Sequence, residues 1–364
     1  MKIIPYGSQS INLKDIKNVS RVLRNDRITT GTEVLKFENN LKNYFNCRYV
    51  LTCNSGTSAL YLALASIKIK IGDVIIMPSI NFIASYNMAK KFGAKIFLAD
   101  VDSITGQMTP QNIIDCCRKF NLKKVKVVIA MYHSGYPDNA ENFTKIKKKL
   151  KCLIIEDACH AFGAEYVVNK KKYKIGSCKH ADISTFSLHP LKTITTGEGG
   201  IFTTNNKNFL EIAKNIRSHG IVRNKTKHWK YDVIDNGFNF RLNDFQCALG
   251  NSQLKRVKKF LDERKLISDF YEKKLKVLNN KLTLIEKKKN YKSSNHLYLI
   301  KLKNPNLKNR ERFIKYMSKN KIIAQYHYIP IYKFKCFKDK SLKKNSEIFY
   351  RSALSLPIFV GLKK

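Results

Sequence analysis

The sequence lacks the residue patterns of several common protein classes. No two of its nine cysteines form a C-x-x-C pair, and none is grouped with the eight histidines at the spacing of a metal site. No apolar run reaches the roughly 18 residues of a membrane-spanning helix, and the opening MKIIPYGSQSINLKD has no signal-peptide core. We therefore expect a cytoplasmic protein with reduced thiols, no metal site and no membrane partner.

Acidic residues are also scarce. Against 69 Lys and Arg the 364-residue chain has 27 Asp and Glu, which gives a net charge of +42 at pH 7. Such a charge is typical of proteins that bind nucleic acids or anionic membranes. Here, however, the lysines are spread through KKK and NK runs, without a single basic stripe that interleaves aromatic residues. We therefore favour a solvated, lysine-rich surface and expect no nucleic-acid partner; the positive field would help to collect an anionic substrate.

One stretch, STFSLHPLKTITTGEGG at 184–200, has the composition of a reactive centre. In it Lys192 lies between a hydroxyl-rich segment and a glycine-rich turn. A lysine amine becomes a nucleophile only where burial or neighbouring charges lower its pKa. The glycines at 197, 199 and 200 would let the backbone pass close to a bound group. An ordinary surface lysine beside a turn is the alternative that this stretch alone leaves open.

A second stretch predicts an anion site. The apolar strand 49–53 ends in NSGTS and runs directly into the apolar helix ALYLALASIKI. This order places free backbone N–H groups and the positive end of a helix dipole at one spot, where a phosphate would bind. The alternative is that Ser55 caps the helix and no ligand binds.

Strands and helices alternate through the first half of the chain. Apolar runs predict strands at 73–78, 95–99 and 125–131, and helical spacing predicts helices at 112–119 and 143–150. This order is typical of the α/β class, with a mostly parallel sheet covered by helices on both faces.

The second half has fewer recognisable elements. The segment 218–236 looks irregular, a helix is expected over 245–261 with a charged helical continuation to about 278, and 295–301 and 322–328 look like strands. We place a domain boundary near 250. A large α/β domain would cover 1–250, and a smaller α+β domain would cover 251–364.

The predicted strand 152–155 leads into Asp157 and His160. In open α/β sheets ligands gather at the carboxyl ends of the strands, which is where this Asp-x-x-His lies. A carboxylate there could pair with the protonated ring nitrogen of a cofactor. An aspartate that caps the next segment is the alternative, and these residues alone do not decide between the two.

Six segments then occur in a characteristic order: NSGTSAL, PSINFIASYN, EDACHAFGAEY, SLHPLKTITTGEGG, RSHG and GFNFRLNDFQCALG. Together they resemble the sugar aminotransferases of the DegT/DnrJ/EryC/StrS type, which use pyridoxal 5′-phosphate on nucleotide-linked keto sugars. The resemblance implies the fold type I of pyridoxal-phosphate aminotransferases. It also implies a homodimer whose two chains share each active site.

The resemblance gives a role to each matching residue. Lys192 would hold the cofactor covalently and move protons at the sugar C4, while Asp157 would keep the pyridine nitrogen protonated, so that the ring is an electron sink. The other contacts would come from Gly56, Thr57 and Ser187 at the phosphate, Phe82 on the ring face, His160 near the ring hydroxyl, and Asn239 from the partner subunit.

Two further segments narrow the expected substrate. SSNHLYLI and AQYHYIPIY most resemble the family members that aminate C4 of a UDP-linked 2-acetamido-2,6-dideoxy-4-hexulose in pseudaminic acid synthesis, with glutamate as donor. KTITTGEGG also resembles the perosamine-type synthases that act on GDP-linked sugars.

Two other functions can be compared on the same residues. Sugar 3-dehydratases of this fold have histidine in place of the reactive lysine, so Lys192 favours transamination. A non-catalytic basic binding module on a degenerate cofactor fold would have lost Lys192, Asp157 or the phosphate residues, and the sequence keeps all of them.

Overall fold

The computed structural model describes residues 3–224, 226–227, 229–337 and 341–363. The strands in chain order are β1 Tyr49–Cys53, β2 Val74–Pro78, β3 Lys95–Ala99, β4 Val127–Met131, β5 Leu153–Asp157, β6 Glu165–Val168, β7 Lys171–Lys174, β8 Ile183–Ser187, β9 Gly200–Thr204, β10 Ile221–Arg223, β11 Tyr231–Val233, β12 Leu282–Leu284, β13 Tyr291–Lys292, β14 Tyr298–Leu302 and β15 Ala353–Leu356. The helices are α1 Leu13–Leu23, α2 Thr32–Phe45, α3 Gly56–Ser66, α4 Ala84–Lys91, α5 Pro110–Lys119, α6 Phe143–Leu150, α7 Lys207–Arg217, α8 Asp244–Lys255, α9 Val257–Leu275, α10 Leu307–Lys319 and α11 Lys344–Ser352.

A seven-stranded sheet forms the centre of the molecule, in the order β1-β9-β8-β5-β4-β2-β3. The pairs from β8 through β5, β4 and β2 to β3 are parallel, whereas β9 is antiparallel to both of its neighbours. Parallel strands need crossover connections. Helices supply those among β2, β3, β4 and β5, whereas the connection from β5 to β8 contains the short strands β6 and β7. The predicted α/β class with a mostly parallel sheet is therefore confirmed.

Both faces of this sheet are buried. Along β4, Val127 and Ile129 pack into one hydrophobic cluster, while Val128 and Ala130 pack into the cluster on the opposite face. Since successive side chains of a strand point to opposite faces, a strand covered on both sides reads as a continuous apolar run. This explains why apolar runs predicted the strands between 49 and 131 to within two residues.

Smaller sheets surround the central one. The strands β12, β14 and β15 form an antiparallel sheet in the C-terminal part, with its own cluster of buried side chains. A second small sheet pairs β13 with β6 and β6 with β7, and β10 and β11 form a hairpin. A bridge between Ile4 and Ile322 ties the N-terminal segment to the C-terminal part.

Two of the expectations for the second half are wrong. The segment 218–236 is not irregular, because it contains the hairpin of β10 and β11, whose three-residue strands are too short to show an alternating pattern. The segment 322–328 is not a strand. It makes isolated bridges at Ile322 and Gln325 to two different partners, so no ladder can form.

The helix expected to continue from 245 is interrupted. Arg256 ends α8 and begins α9 with φ −106° and ψ 2°, and its guanidinium pairs with the buried Asp15 of α1. Charged side chains at helical spacing do not reveal such a break, because both helices keep the same period. The division into 1–250 and 251–364 stays a prediction.

Candidate active site

One cavity of about 440 Å³ opens where the carboxyl ends of β5 and β8 meet the N-terminus of α3. Such an edge is the usual ligand site of an open α/β sheet. Seven of the eight residues predicted for the site line this cavity: Gly56, Thr57, Phe82, Asp157, His160, Ser187 and Lys192.

Lys192 lies in the turn that follows β8. Its backbone N–H donates to the carbonyl of His189 at 2.9 Å, and the hydroxyl of Thr195 donates to the carbonyl of Leu188 at 2.8 Å. Burial lowers the pKa of the Lys192 amine below its ordinary value, and the nearby Cys159 and Asp157 oppose this shift. A lower pKa increases the fraction of neutral amine, the form that acts as a nucleophile.

Asp157 ends β5, and both of its carboxylate oxygens accept hydrogen bonds. Ser85, in the first turn of α4, donates its hydroxyl to Oδ2 at 2.7 Å, and the N–H of Cys159 donates to Oδ1 at 3.4 Å. The carboxylate therefore keeps a fixed orientation at the cavity wall. It does not cap a helix, because the residues after Asp157 form turns.

The start of α3 is arranged to hold an anion. Ser55 caps the helix by accepting the N–H of Ser58 at 3.1 Å, as the alternative interpretation proposed. Among the described residues, the N–H groups of Gly56 and Thr57 have no acceptor. Two free donors at a helix N-terminus beside a cavity form an anion site, so capping and anion binding are compatible here.

The glycines after Lys192 have a different role from the predicted one. A Cβ at Gly200 would lie 2.1 Å from the carbonyl oxygen of Ser55, and one at Gly199 would lie 2.3 Å from Oγ1 of Thr196. These glycines let two parts of the protein pack together and do not line the cavity. Gly197 has a φ of +81°, so it serves the turn.

His160 forms part of a cluster of rings in the cavity wall. Its Nε2 shares a hydrogen bond of 2.8 Å with the hydroxyl of Tyr328, and its ring centroid lies 4.3 Å from that of His296. Phe82 is 53% exposed and lies 5.7 Å from the Tyr328 ring. Burial and the nearby charges, above all that of Lys192, hold the pKa of His160 well below its ordinary value.

Several residues of the cavity wall were not predicted from the sequence. They are Tyr6, His189, Glu198, His296, His327 and Tyr328. His296, His327 and Tyr328 lie in SSNHLYLI and AQYHYIPIY, two segments that carried the resemblance. The signal was the concentration of histidine and tyrosine in these segments, but a sequence does not show which side chains face a cavity.

Asn239 does not line the cavity of its own chain. The residue is exposed, forms an isolated bridge with Ser218, and accepts a hydrogen bond on its carbonyl oxygen from Nδ2 of Asn54 at 3.3 Å. The segment around Asn239 therefore packs beside the turn that leads into α3, and its side chain is open to solvent in the single chain.

This geometry can be compared with known proteins. The model of the DegT/DnrJ/EryC1/StrS aminotransferase family matches residues 9–364. The chain belongs to this family. It is 35% identical to the UDP-4-amino-4,6-dideoxy-N-acetyl-beta-L-altrosamine transaminase of Campylobacter jejuni, over 98% of this chain and 92% of the relative. It is 30% identical to the GDP-perosamine synthase of Escherichia coli O157:H7, over 100% of this chain and 95% of the relative.

Solved structures agree with this assignment. PseC from Helicobacter pylori, an aminotransferase involved in the biosynthesis of pseudoaminic acid, matches with a TM-score of 0.91 and 31% identity over 100% of this chain and 95% of that one. A sugar aminotransferase from Streptococcus pneumoniae in its PLP form matches with a TM-score of 0.89 and 25% identity over 100% of this chain and 95% of that one. The predicted family and fold are confirmed, and the protein is an enzyme of the aminotransferase family.

Pyridoxal phosphate is the cofactor of this enzyme, and the residues of the cavity fit it. A Cβ at Gly56 would lie 2.8 Å from Cβ of Ser187, so the anion site has no space for a side chain at that position. The cavity thus offers free N–H donors and the Ser187 hydroxyl for a phosphate, a fixed carboxylate at Asp157 for a ring nitrogen, and the amine of Lys192 for a covalent bond.

Other kinds of site are not found in the part of the chain that the structure describes. There, no three His, Cys, Asp or Glu residues are grouped as metal ligands. No helix formed by these residues is both long and apolar enough to span a membrane.

Proposed function

We propose that the enzyme aminates the C4 keto group of a nucleotide-linked 4-keto-6-deoxy sugar, namely UDP-2-acetamido-2,6-dideoxy-beta-L-arabino-4-hexulose. Glutamate is the amino donor, and the product enters pseudaminic acid or surface glycan biosynthesis. The main support is one observation: Lys192 and Asp157 face a single cavity in a chain 35% identical to a transaminase named for this 4-amino sugar.

Lys192 and Asp157 have different roles in the reaction. Pyridoxal phosphate supplies an electron sink and carries the amino group between the donor and the sugar. Lys192 holds the cofactor and moves the proton at the sugar C4, which a buried amine of lowered pKa can do near neutral pH. Asp157, fixed by Ser85, keeps a proton on the ring nitrogen.

The remaining residues bind and orient the cofactor. Gly56, Thr57 and Ser187 hold the phosphate through backbone N–H groups and a hydroxyl. Phe82, at the open side of the cavity, covers one face of the ring. His160, with Nε2 held by Tyr328, lies near the ring hydroxyl.

We also propose a homodimer in which Asn239 reaches the phosphate site of the partner subunit. The exposed position of Asn239 supports this proposal, as does the apolar surface of the adjacent hairpin, where Tyr231, Val233 and Ile234 are all more than half exposed. Exposed apolar patches of this kind mark protein contacts. A large apolar interface is needed to overcome the repulsion between two chains of +42 each.

A cytoplasmic location completes the proposal. All nine cysteines are free in the structure. Disulfides form and persist in oxidising compartments, so a chain with this many unpaired thiols suits the reducing cytoplasm.

The test is a substrate panel. Purified enzyme with pyridoxal phosphate and glutamate is offered UDP-, dTDP- and GDP-linked 4-keto-6-deoxy sugars, and the amino sugar is detected by mass spectrometry. We expect amination of the UDP-linked 2-acetamido sugar above the others. Amination of the GDP sugar alone would establish the second candidate, a perosamine-type synthase, which the relative at 30% identity favours.

A further inference from the structure

The ring of His296 presents one open nitrogen to the cavity. The residue is 7% exposed and lines the cavity wall. Its Nδ1 is buried and has no partner among the described residues, so the accessible polar atom of the ring is Nε2. His160 differs, because its Nε2 is bonded to Tyr328 and its Nδ1 is enclosed.

The backbone around His296 is held rigidly. Its N–H donates to the carbonyl of Ser134 at 3.0 Å, and its own carbonyl accepts from the guanidinium of Arg264 at 3.3 Å. Arg264 is buried and also donates to the carbonyl of Ile358 at 2.9 Å. The imidazole itself packs against His160. A side chain held in this way loses little freedom on binding, which suits a specificity contact.

The surroundings of His296 also fix its protonation. Burial, together with the charges of Lys192 and Arg264, holds the pKa of His296 well below its ordinary value, so the imidazole is neutral. A neutral imidazole carries one N–H, and a buried N–H without an acceptor is unfavourable. We therefore assign the proton to Nε2, where it faces the cavity.

We propose that His296 is a specificity-determining residue that donates a hydrogen bond from Nε2 to an uncharged oxygen on the sugar ring, a hydroxyl or an acetamido carbonyl. This inference rests on the proposed function. A neutral donor adds no charge attraction, whereas recognition of a dicarboxylate donor depends on charge-assisted contacts. His296 therefore acts on the sugar and not on the amino donor.

Measuring the two half-reactions separately distinguishes recognition of the sugar from recognition of the amino donor. The donor half-reaction is followed by the change in cofactor absorbance when glutamate alone is added, and the sugar half-reaction is followed when the keto sugar is added next. We expect His296→Leu to raise KM for the keto sugar about tenfold, the scale of one lost hydrogen bond in an enclosed site. The donor half-reaction should stay within about twofold of the wild type.

Two amide variants test the position of the donor. The side-chain nitrogen of glutamine reaches the place of Nε2, whereas that of asparagine is shorter and reaches only the place of Nδ1. His296→Gln should therefore keep KM within about threefold, and His296→Asn should raise it as His296→Leu does. His180→Asn is the matched control, because His180 lies outside the cavity and shares a hydrogen bond with Tyr166 through Nδ1, the position that asparagine replaces.

A binding measurement gives a readout apart from turnover. Calorimetric titration of the amino-sugar product into protein freed of cofactor should show the same order of affinities, with wild type and His296→Gln above His296→Leu and His296→Asn. If His296→Leu slows both half-reactions equally, or changes neither KM nor product affinity, the assignment is wrong. If the wild type itself aminates no sugar but still reacts with glutamate, the proposed function fails and this assignment fails with it.

Discussion

The hydroxyl of Ser85 donates to Oδ2 of Asp157 at 2.7 Å, which joins the first turn of α4 to the end of β5. Both residues are buried. Ser85 has no direct contact with a ligand to explain its position, since it does not line the cavity. Its hydroxyl instead fixes the direction of the carboxylate that faces the cavity, while its neighbour Ala84 lines the cavity directly.

Removing this hydrogen bond should slow the enzyme without unfolding it. We expect Ser85→Ala to lower kcat about fivefold, because one buried hydrogen bond contributes about 1 kcal/mol. Steady-state kinetics would measure the change. Ser66→Ala is the matched control, since Ser66 is a buried serine of α3 that bonds to Ala63. Equal loss of activity in both variants would mean that Ser85 supports only the general packing.

The charge of Asp157 should matter more than its hydrogen bonds. We expect Asp157→Asn to keep the covalent attachment at Lys192 and to lose at least about a hundredfold in turnover, the usual scale for one electrostatic contact in a site. Asp100→Asn is a suitable control, because that carboxylate binds the first turn of α11 and should affect stability alone. Unchanged turnover in Asp157→Asn would show that the Asp157 carboxylate serves only to fix the turn that follows β5.

His133 should make the protein sensitive to acid. Its side chain is fully buried, Nε2 bonds to the carbonyl of His327 at 2.7 Å, and its ring contacts those of His160, Tyr328 and Phe349. Burial lowers the pKa of His133 to about 4. The unfolded chain, with an ordinary histidine pKa near 6.5, therefore binds the proton first as the pH falls.

The sign of the effect follows from this difference. The contribution of neutral His133 to the free energy of unfolding is fully present above about pH 6.5. It is lost as the pH falls toward 4, by about 3 kcal/mol at most. Urea unfolding of the wild type and of His133→Phe at several pH values would measure it. Between pH 6.5 and 4 the wild type should lose more free energy of unfolding than His133→Phe does. A difference between the two proteins that stays constant with pH would contradict the lowered pKa of His133.

The shared site can be tested by mixing two inactive chains. Lys192→Ala lacks the reactive amine, and Asn239→Asp places a negative charge where we propose contact with the partner's phosphate site. After joint unfolding and refolding, one of the two sites in a mixed dimer combines an intact Lys192 with an intact Asn239, so part of the activity should return. No recovery in verified mixed dimers would show that Asn239 acts within its own chain.

Much of the central sheet could be predicted because its strands are buried on both faces. The continuous apolar run over β4 and the agreement of the predicted strand 49–53 with β1 show how directly that burial appears in the sequence. The hairpin of β10 and β11 was missed because its strands are exposed and only three residues long. Local sequence carries little signal where packing does not impose a period.

The half of the site near the sheet was also predictable, and the other half was not. Asp157 ends β5 and Lys192 follows β8, and the carboxyl ends of these parallel strands meet at one edge of the sheet. His296 and Tyr328 reach the same cavity from more than a hundred residues further along the chain, through loops whose path depends on contacts such as the one between Arg264 and the His296 carbonyl. The path of such a loop cannot be predicted from hydrophobic periodicity in the sequence.

The central claim is that the chemistry of this enzyme depends on the amine of Lys192. The most direct measurement is reduction of the enzyme with borohydride in the presence of pyridoxal phosphate, followed by peptide mapping with mass spectrometry. We predict that the purified protein is yellow, that reduction removes the colour, and that the reduced cofactor is found on Lys192 alone. Lys192→Ala should bind the cofactor reversibly, take no label and lose turnover by many orders of magnitude. A label on any other lysine, or no label on Lys192 in the coloured protein, would contradict the account.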